Sequence, residues 1–420
     1  MNNAMMHTAI YMLRTRPETG MRTTTPLNIS NYFKAALFCV TTLCVATALS
    51  LFSTLAISAP RLIPQSPNLA AKSWILIDAQ SGHIIVENNP DEMLPPASLT
   101  KMMTSYIAAE QIDTGNIALT DDVLISKKAW RKGGSKMYIR EGTRVQLEDL
   151  LKGIIIQSGN DASIAVSEHV AGSEDAFADL MNQTATTLGM HNSHFMNATG
   201  WPADDHYTTA SDLSKLARAI IYDHPEHYSL YAEKEFTYNN IRQPNRNKLL
   251  WRDSSVDGLK TGHTNAAGYC LVASAKRNGM RLISVVMGTK SIEARAAESQ
   301  KLLTYGFRFF ETVKSYSAQE SLVSPNLWMG DADTVKLGTV DDIWLTIPRG
   351  AEKDIKAELD FPSEIRAPLS AGQEVGSIKL LLDGKVIHES PLASLENVEE
   401  AGFITRIWHM ILLFFTNLIQ

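Results

Sequence analysis

Ser98 and Lys101 stand three residues apart in "PPASLTKMMTSYIAAEQ", just after Pro95 and Pro96 and at the start of an apolar pattern with helical spacing. Side chains three apart on a helix are neighbours. A serine hydroxyl attacks a carbonyl only when something takes its proton. A lysine can do so once it is neutral, which requires burial or a nearby cation to lower its pKa. The pair alone carries little information, because a helix cap followed by a solvated lysine has the same spacing.

Two further stretches carry similar chemistry. In "IIIQSGNDAS", Ser158-Gly159-Asn160 falls where one apolar helical pattern stops and another starts, with Gly159 as the break. That arrangement would present Ser158 and Asn160 to a cleft, although an asparagine at a helix start usually caps it. In "SVDGLKTGHTNAAGYC", Lys260-Thr261-Gly262 lies on an expected strand, followed by His263. A glycine inside a strand marks close approach of a ligand or another backbone, and the His263 main-chain N–H could point into the opening. The bland alternative is an edge strand carrying charge against aggregation.

The elements that must position these residues follow from periodicity. "SWILIDAQSGHIIVENN" reads as two strands around the turn Ala79–Gly82. Leu99, Met102, Met103, Tyr106 and Ile107 repeat at helix spacing, as do Leu147, Leu150, Leu151, Ile154 and Ile155. Three more helices are expected: Asp161 to about Gly172, "SEDAFADLMNQTATTLG" and "TASDLSKLARAIIYD". Strands return at Val256–Thr264, Tyr269–Ala275 and Arg281–Met287, the last two joined by Asn278–Gly279. A helix from Ser291 to about Val313 closes the unit. The expected class is α+β: an antiparallel sheet with packed helices and a helical subdomain inserted midway. From about residue 314 the period becomes two, with Asp383–Gly384 as a hairpin turn, so 314–396 reads as a small all-β domain.

The chain has 420 residues, 45% hydrophobic and 20% charged, enough for two cores and no long disordered tract. Lys34 is followed by the uncharged run "AALFCVTTLCVATALSLFSTLAIS". Residues 1–58 therefore read as an export signal, with an uncleaved anchor as the alternative, and Met21 and Arg22 would open a more usual start. Losing Arg14, Arg16, Arg22, Lys34 and Glu18 removes a net +3, taking the charge from −6 to −9. So acidic a chain, without a basic stripe, is no nucleic-acid binder. Cys39 and Cys44 leave with the signal, so Cys270 has no intrachain partner and reads as a small buried residue. At the other end, residues 397–420 read as an amphipathic helix lying in a membrane interface, with Phe403, Ile407, Met410, Ile411, Phe414 and Leu418 on one face. Packing of this helix on the β domain is the alternative. His191 and His194 in "HNSH" lack zinc-site spacing, and neither a metal nor a cofactor is expected.

Each motif has an ordinary explanation alone, but their order and placement on these elements do not. Ser-x-x-Lys, Ser-Gly-Asn and Lys-Thr-Gly in this order resemble the low-molecular-mass penicillin-binding proteins, the S11-like serine D-alanyl-D-alanine carboxypeptidases. The resemblance runs from about Ala70 to the C-terminus and includes "IRQPNRNKLLW", "RLISVVMG", "KLLTYGFRFFETV" and "TIPRG". It implies a β-lactamase-like transpeptidase domain over 59–313, then the β domain and the terminal helix. It implies a periplasmic enzyme, peripheral on the inner membrane, that removes the terminal D-Ala of peptidoglycan pentapeptides through an acyl-serine and binds β-lactams covalently. Ser98 would be the nucleophile and Lys101 its base. Ser158 would relay a proton to the leaving amine, and Asn160 would position Lys101 and the substrate amide. Lys260 and Thr261 would hold the substrate carboxylate, and the N–H groups of Ser98 and His263 would form the oxyanion hole. Arg246 and Arg295 match arginines at the carboxylate end of the cleft. Two lysines converging there would lower each other's pKa. A β-lactamase is disfavoured because no E-x-x-L-N stands between Ser158 and Lys260. Two more competing classes are an endopeptidase cutting crosslinks and a non-catalytic peptidoglycan binder.

Overall fold

The structure is a computed structural model describing residues 63–419, with side chains as far as Phe415. The expected signal, its cleavage site near Ala59 and the side chain of Leu418 lie outside the described residues.

Strands β1 (Ser73–Asp78), β2 (Ile84–Asn88), β7 (Val256–Thr264), β8 (Gly268–Arg277) and β9 (Met280–Thr289) form one antiparallel sheet in the order β2-β1-β9-β8-β7. The order follows from three hairpins and one long excursion. Asn278 and Gly279 both take positive φ, 49° and 85°, which makes the tight turn joining β8 to β9. Everything between β2 and β7, including the two-stranded ribbons of β3 (Asp122–Leu124) with β4 (Arg144–Gln146) and β5 (Glu235–Tyr238) with β6 (Ile241–Pro244), leaves the sheet and returns at its edge.

β1 is buried along its whole length and sorts its side chains by the period of two. Ile75 and Ile77 face one apolar core, shared with the helical block. Trp74 and Leu76 face another, shared with the closing helix. In the helical block, helix α1 (Lys101–Asp113) is buried continuously from Lys101 to Ala109. A helix enclosed on all sides is a fixed platform. Against it pack α4 (Asn160–Ala171), α5 (Glu174–Thr187) and α6 (Ala210–Asp223), and α2 (Lys127–Arg131) and α3 (Leu147–Lys152) pack on α4. Ser173 and Thr209 cap α5 and α6 by accepting from Ala176 N and Asp212 N.

The closing helix, α7, runs Ile292–Phe309 and is capped by Ser291. It ends four residues before the expected Val313. Residues Phe310–Tyr316 form strand β10, paired with β11 (Ile343–Pro348), so the β region starts at 310 rather than 314. No glycine or proline marks the change. Pairing with β11 decides it, because β-branched Thr312 and Val313 fit a half-buried pleat as well as a helix. The rest of the β region includes β12 (Lys356–Asp360), β13 (Glu374–Leu382) and β14 (Lys385–Ser394), with β13 and β14 joined at Asp383–Gly384 as expected. Its two small cores centre on Leu337 and Leu392, and on Ile347 and Leu380.

Helix α8 (Phe403–Ile419) docks on the β region by one side and leaves apolar side chains exposed on another. Leu413 is buried, and His409 Nδ1 accepts from Met329 N at 2.8 Å, which docks one side on the β region. Phe403, Trp408, Phe414 and Phe415 are exposed. Among the described residues no helix is long and apolar enough to cross a membrane.

Candidate active site

The chain turns into α1 through a short 3-10 segment, Ala97–Thr100, after Pro95 and Pro96. Two glycines let other backbones press against this turn. A Cβ on Gly262 of β7 would meet Pro96 O and Leu99 Cγ, each at 3.1 Å. A Cβ on Gly200, where φ is +78°, would come within 1.8 Å of Ala97 O. The glycine on the strand thus marks the approach of another backbone. Ser98 is left half-buried at the end of a closely held turn.

Lys101 is 1% exposed, and its Nζ has three partners: Asn160 Oδ1 at 2.7 Å, the Thr199 carbonyl at 2.5 Å and Ser98 Oγ at 3.3 Å. Asn160 and Thr199 offer oxygens that only accept. A neutral amine has two N–H donors and one lone pair, so those two oxygens take the donors and aim the lone pair at Ser98 Oγ. The pKa of Lys101 is lowered to about 7, first by burial and then by Arg246, with Lys132 adding to the effect and Asp161 opposing it. At neutral pH a sizeable fraction is therefore the free base.

Ser158 and Asn160 are set by an irregular stretch. Residues Gly153–Gln157 form a π turn after α3, and Ser158 then takes the left-handed conformation, φ 65° and ψ 36°. Such turns redirect side chains out of a helical run and recur at functional sites. Gly159 N donates to Gly153 O at 2.9 Å and Asn160 N to Ser135 O at 2.7 Å, which hold the turn. Asn160 does not cap α4. Gly159 occupies the cap position with no side-chain bond, while Asn160 Nδ2 donates to Gly133 O at 2.8 Å and fixes Oδ1 on Lys101. The bonds to Lys101 and Gly133 have displaced the capping one.

β7 is the sheet's edge strand, yet Lys260 is 2% exposed and points inward, which excludes an anti-aggregation role. Its Nζ donates to Ser158 Oγ at 2.9 Å and to the Thr261 carbonyl at 3.1 Å. Burial, then Lys101, Arg246 and Arg295 hold its pKa well below the ordinary lysine value. The expected coupling of the lysines is one-sided. Lys101 acts on Lys260, but the cations acting on Lys101 are Arg246 and Lys132.

Ser98, Ser158, Thr261, Gly262 and His263 line one cleft of about 520 Å³ with Arg246, Lys248 and Arg295. Among the described residues no acidic side chain lines it. Arg295 is buried, donates to the Gly262 carbonyl at 3.0 Å and lies over Tyr269. Arg246 is exposed on the rim. His263 is exposed and stacks on Tyr269, with ring centroids 3.9 Å apart. The cleft thus joins a hydroxyl with a ready base to a cationic floor suited to a carboxylate. Cys270 is buried beneath it and free.

Three features were not visible in the motifs. The Thr199 carbonyl is main chain, and any residue type supplies one. Asp161, fully buried, accepts from Met137 N, Tyr138 N and Ile139 N and so ties down the segment after Gly133. His206 reaches Thr100 Oγ1 across 106 positions of sequence. Only the asparagine, threonine and glycine of "NATGW" hinted at a turn near Thr199.

The family described as D-alanyl-D-alanine carboxypeptidase matches residues 61–291, and the penicillin-binding protein 5 C-terminal domain matches 310–400. The chain is 46% identical over 375 residues to the D-alanyl-D-alanine carboxypeptidase DacC of Escherichia coli K12, covering 87% of this chain and 94% of that one. It is 48% identical over 362 residues to DacA of the same organism, covering 84% and 90%. A crystal structure of penicillin binding protein 5 from Haemophilus influenzae superposes with a TM-score of 0.79 at 42% identity, covering 80% of this chain and all of that one.

Proposed function

The chain belongs to the D-alanyl-D-alanine carboxypeptidase family, and from that premise we propose how its residues remove the terminal D-Ala of a peptidoglycan pentapeptide. The observation that carries the reading is the aim of Lys101 Nζ at Ser98 Oγ by two oxygens that can only accept.

The substrate's terminal carboxylate enters the cationic floor, where Thr261, Arg246 and Arg295 line the cleft and Lys260 lies beneath, joined to Ser158. The arriving negative charge favours the protonated form of Lys260. Ser98 Oγ attacks the carbonyl of the penultimate D-Ala while its proton passes to Lys101 Nζ. The main-chain N–H groups of Ser98 and His263 receive the developing oxyanion. As the C–N bond breaks, the proton travels through Ser158 to the departing amine, and D-Ala leaves. Asn160 holds Lys101 throughout and faces the substrate amide. Water then hydrolyses the acyl-serine. A β-lactam, with its carboxylate and strained amide, follows the first half of this path and stays on Ser98.

Incubation with a pentapeptide ending in D-Ala-D-Ala, with freed D-Ala measured, tests the reading. A preparation that takes up labelled penicillin yet frees no D-Ala overturns the carboxypeptidase assignment and leaves an acyl-transfer enzyme acting on another peptide.

The acylation rate also acquires a pH signature. Only the neutral amine accepts the proton, so the second-order rate falls as pH drops through the Lys101 pKa of about 7. Between pH 8 and pH 6 the fall is about tenfold. A profile flat across that interval, measured with labelled penicillin, contradicts the role given to Lys101.

Helix α8 provides attachment at the membrane surface, on the periplasmic side where peptidoglycan lies. Its support is the exposed row of Phe403, Ile407, Met410, Ile411 and Phe414, beside Trp408. A chain ending at Glu396 keeps D-Ala release but stays in the supernatant when spun with phospholipid vesicles that pellet the full chain. Pelleting of the shortened chain removes the case for this helix.

A further inference from the structure

We propose that Asn197 is a positioning residue for the reaction, locking the 197–201 turn so that the Thr199 carbonyl holds the Lys101 amine on Ser98. The proposal rests on the reading of Ser98 as nucleophile and Lys101 as base.

The Asn197 side chain is used at both ends. Its Oδ1 accepts from Thr199 N at 3.1 Å, Thr199 Oγ1 at 2.7 Å, Gly200 N at 2.9 Å and Trp201 N at 3.1 Å. An ordinary asparagine turn satisfies one or two N–H groups. Here four donors share one oxygen, so the whole turn wraps around it. The Nδ2 group donates to the Trp201 carbonyl at 2.9 Å and lies 3.2 Å from His206 Nδ1. The amide cannot rotate without losing all of these bonds.

His206 closes the circuit. It is buried, and its Nε2 is 2.9 Å from Thr100 Oγ1. Burial brings its pKa down to about 4, so it is neutral at working pH. Receiving the Asn197 amide at Nδ1 makes that nitrogen the acceptor, so Nε2–H donates to Thr100. Bonds therefore run from Thr100 through His206 and Asn197 to the amides on either side of the Thr199 carbonyl, which in turn accepts from Lys101, the residue after Thr100. The turn also has nowhere to move, because Gly200 sits against the Ala97 carbonyl, one residue before the nucleophile. None of these groups lines the substrate cleft. Asn197 acts only through the amine it helps to aim.

Acylation by labelled penicillin, resolved into noncovalent affinity, acylation rate constant and final labelled fraction, tests this. Asn197→Ala should lower the rate constant about tenfold to a hundredfold. Noncovalent affinity should be unchanged and one label per chain still reached. The loss should persist at pH 9, where Lys101 is neutral in both proteins, since orientation and not protonation is at fault. Asn197→Asp keeps an oxygen for the four donors and should recover most of the rate at pH 9. A merely structural role would lower the labelled fraction instead of the rate. That result, a normal rate in the alanine variant, or an aspartate variant as slow as the alanine one would each overturn the proposal. If the alanine variant does not fold, the aspartate variant decides alone. Ser98→Ala, run alongside, separates the layers. Complete loss of its label with an unimpaired Asn197→Ala rejects only the role of Asn197, whereas retained label rejects the nucleophile assignment as well.

Discussion

Ser98→Ala abolishes both D-Ala release and penicillin labelling, an expected loss of about 10⁴-fold or more. The size follows from the chemistry: without Oγ there is no acyl intermediate, and Lys101 has no proton to take. The fold should be little affected. Ser98 is half-buried, and its side chain is held by the 3.3 Å contact from Lys101. Removing so long a bond changes stability by about 1 kcal/mol at most. The cationic floor is untouched, so the variant still binds the peptide's tail without cleaving it. Binding by calorimetry beside a mass spectrum free of penicilloyl adduct gives the full signature. A Ser98→Ala protein that still gains the adduct would place the nucleophile elsewhere.

Lys101→Met is expected to slow acylation by about 10³-fold, within the range that a positioned base contributes. Methionine fills much the same space but takes no proton. It leaves Asn160 Oδ1 and the Thr199 carbonyl without their donor, at about 1–3 kcal/mol each, partly offset by no longer burying an amine. A modest drop in Tm therefore accompanies a large drop in rate. The distinguishing result is kinetic: whatever rate remains no longer falls between pH 8 and pH 6. If the variant keeps a limb near pH 7, the titrating base is another group. The buried Ser158–Lys260 pair, joined at 2.9 Å, is then the next candidate.

Much of the positioning frame was legible beforehand. Val256–Thr264 is a strand at the residues expected, and although only Val256 and Leu259 in it are apolar, pairing with β8 along its length holds it extended. Asn278–Gly279 and Asp383–Gly384 make their hairpins, because both require positive φ at small cost. The end of α7 was not legible. "FRFFETV" suits helix and strand alike, and β11, more than thirty residues on, settles the matter. The role of Asn160 was ambiguous for a similar reason: one side chain can cap a helix or hold a lysine, and only the arrival of Lys101 distinguishes them. The terminal helix divided its loyalties, since amphipathicity says that a face will be covered and not by what.

The three short motifs in their set order determined the reaction class through their resemblance to the D-alanyl-D-alanine carboxypeptidases, which implies a nucleophile, a base and a seat for a carboxylate. Local periodicity determined which elements carry them. Tertiary structure decided the pKa and the aim of the lysine proposed as the base. The burial that lowers the Lys101 pKa to about 7 comes from packing around α1. The aim of its lone pair comes from Asn160 and from a main-chain carbonyl at Thr199, 59 and 98 positions away. Desolvation and hydrogen-bond direction depend on where distant atoms meet, and no spacing within a single stretch encodes that.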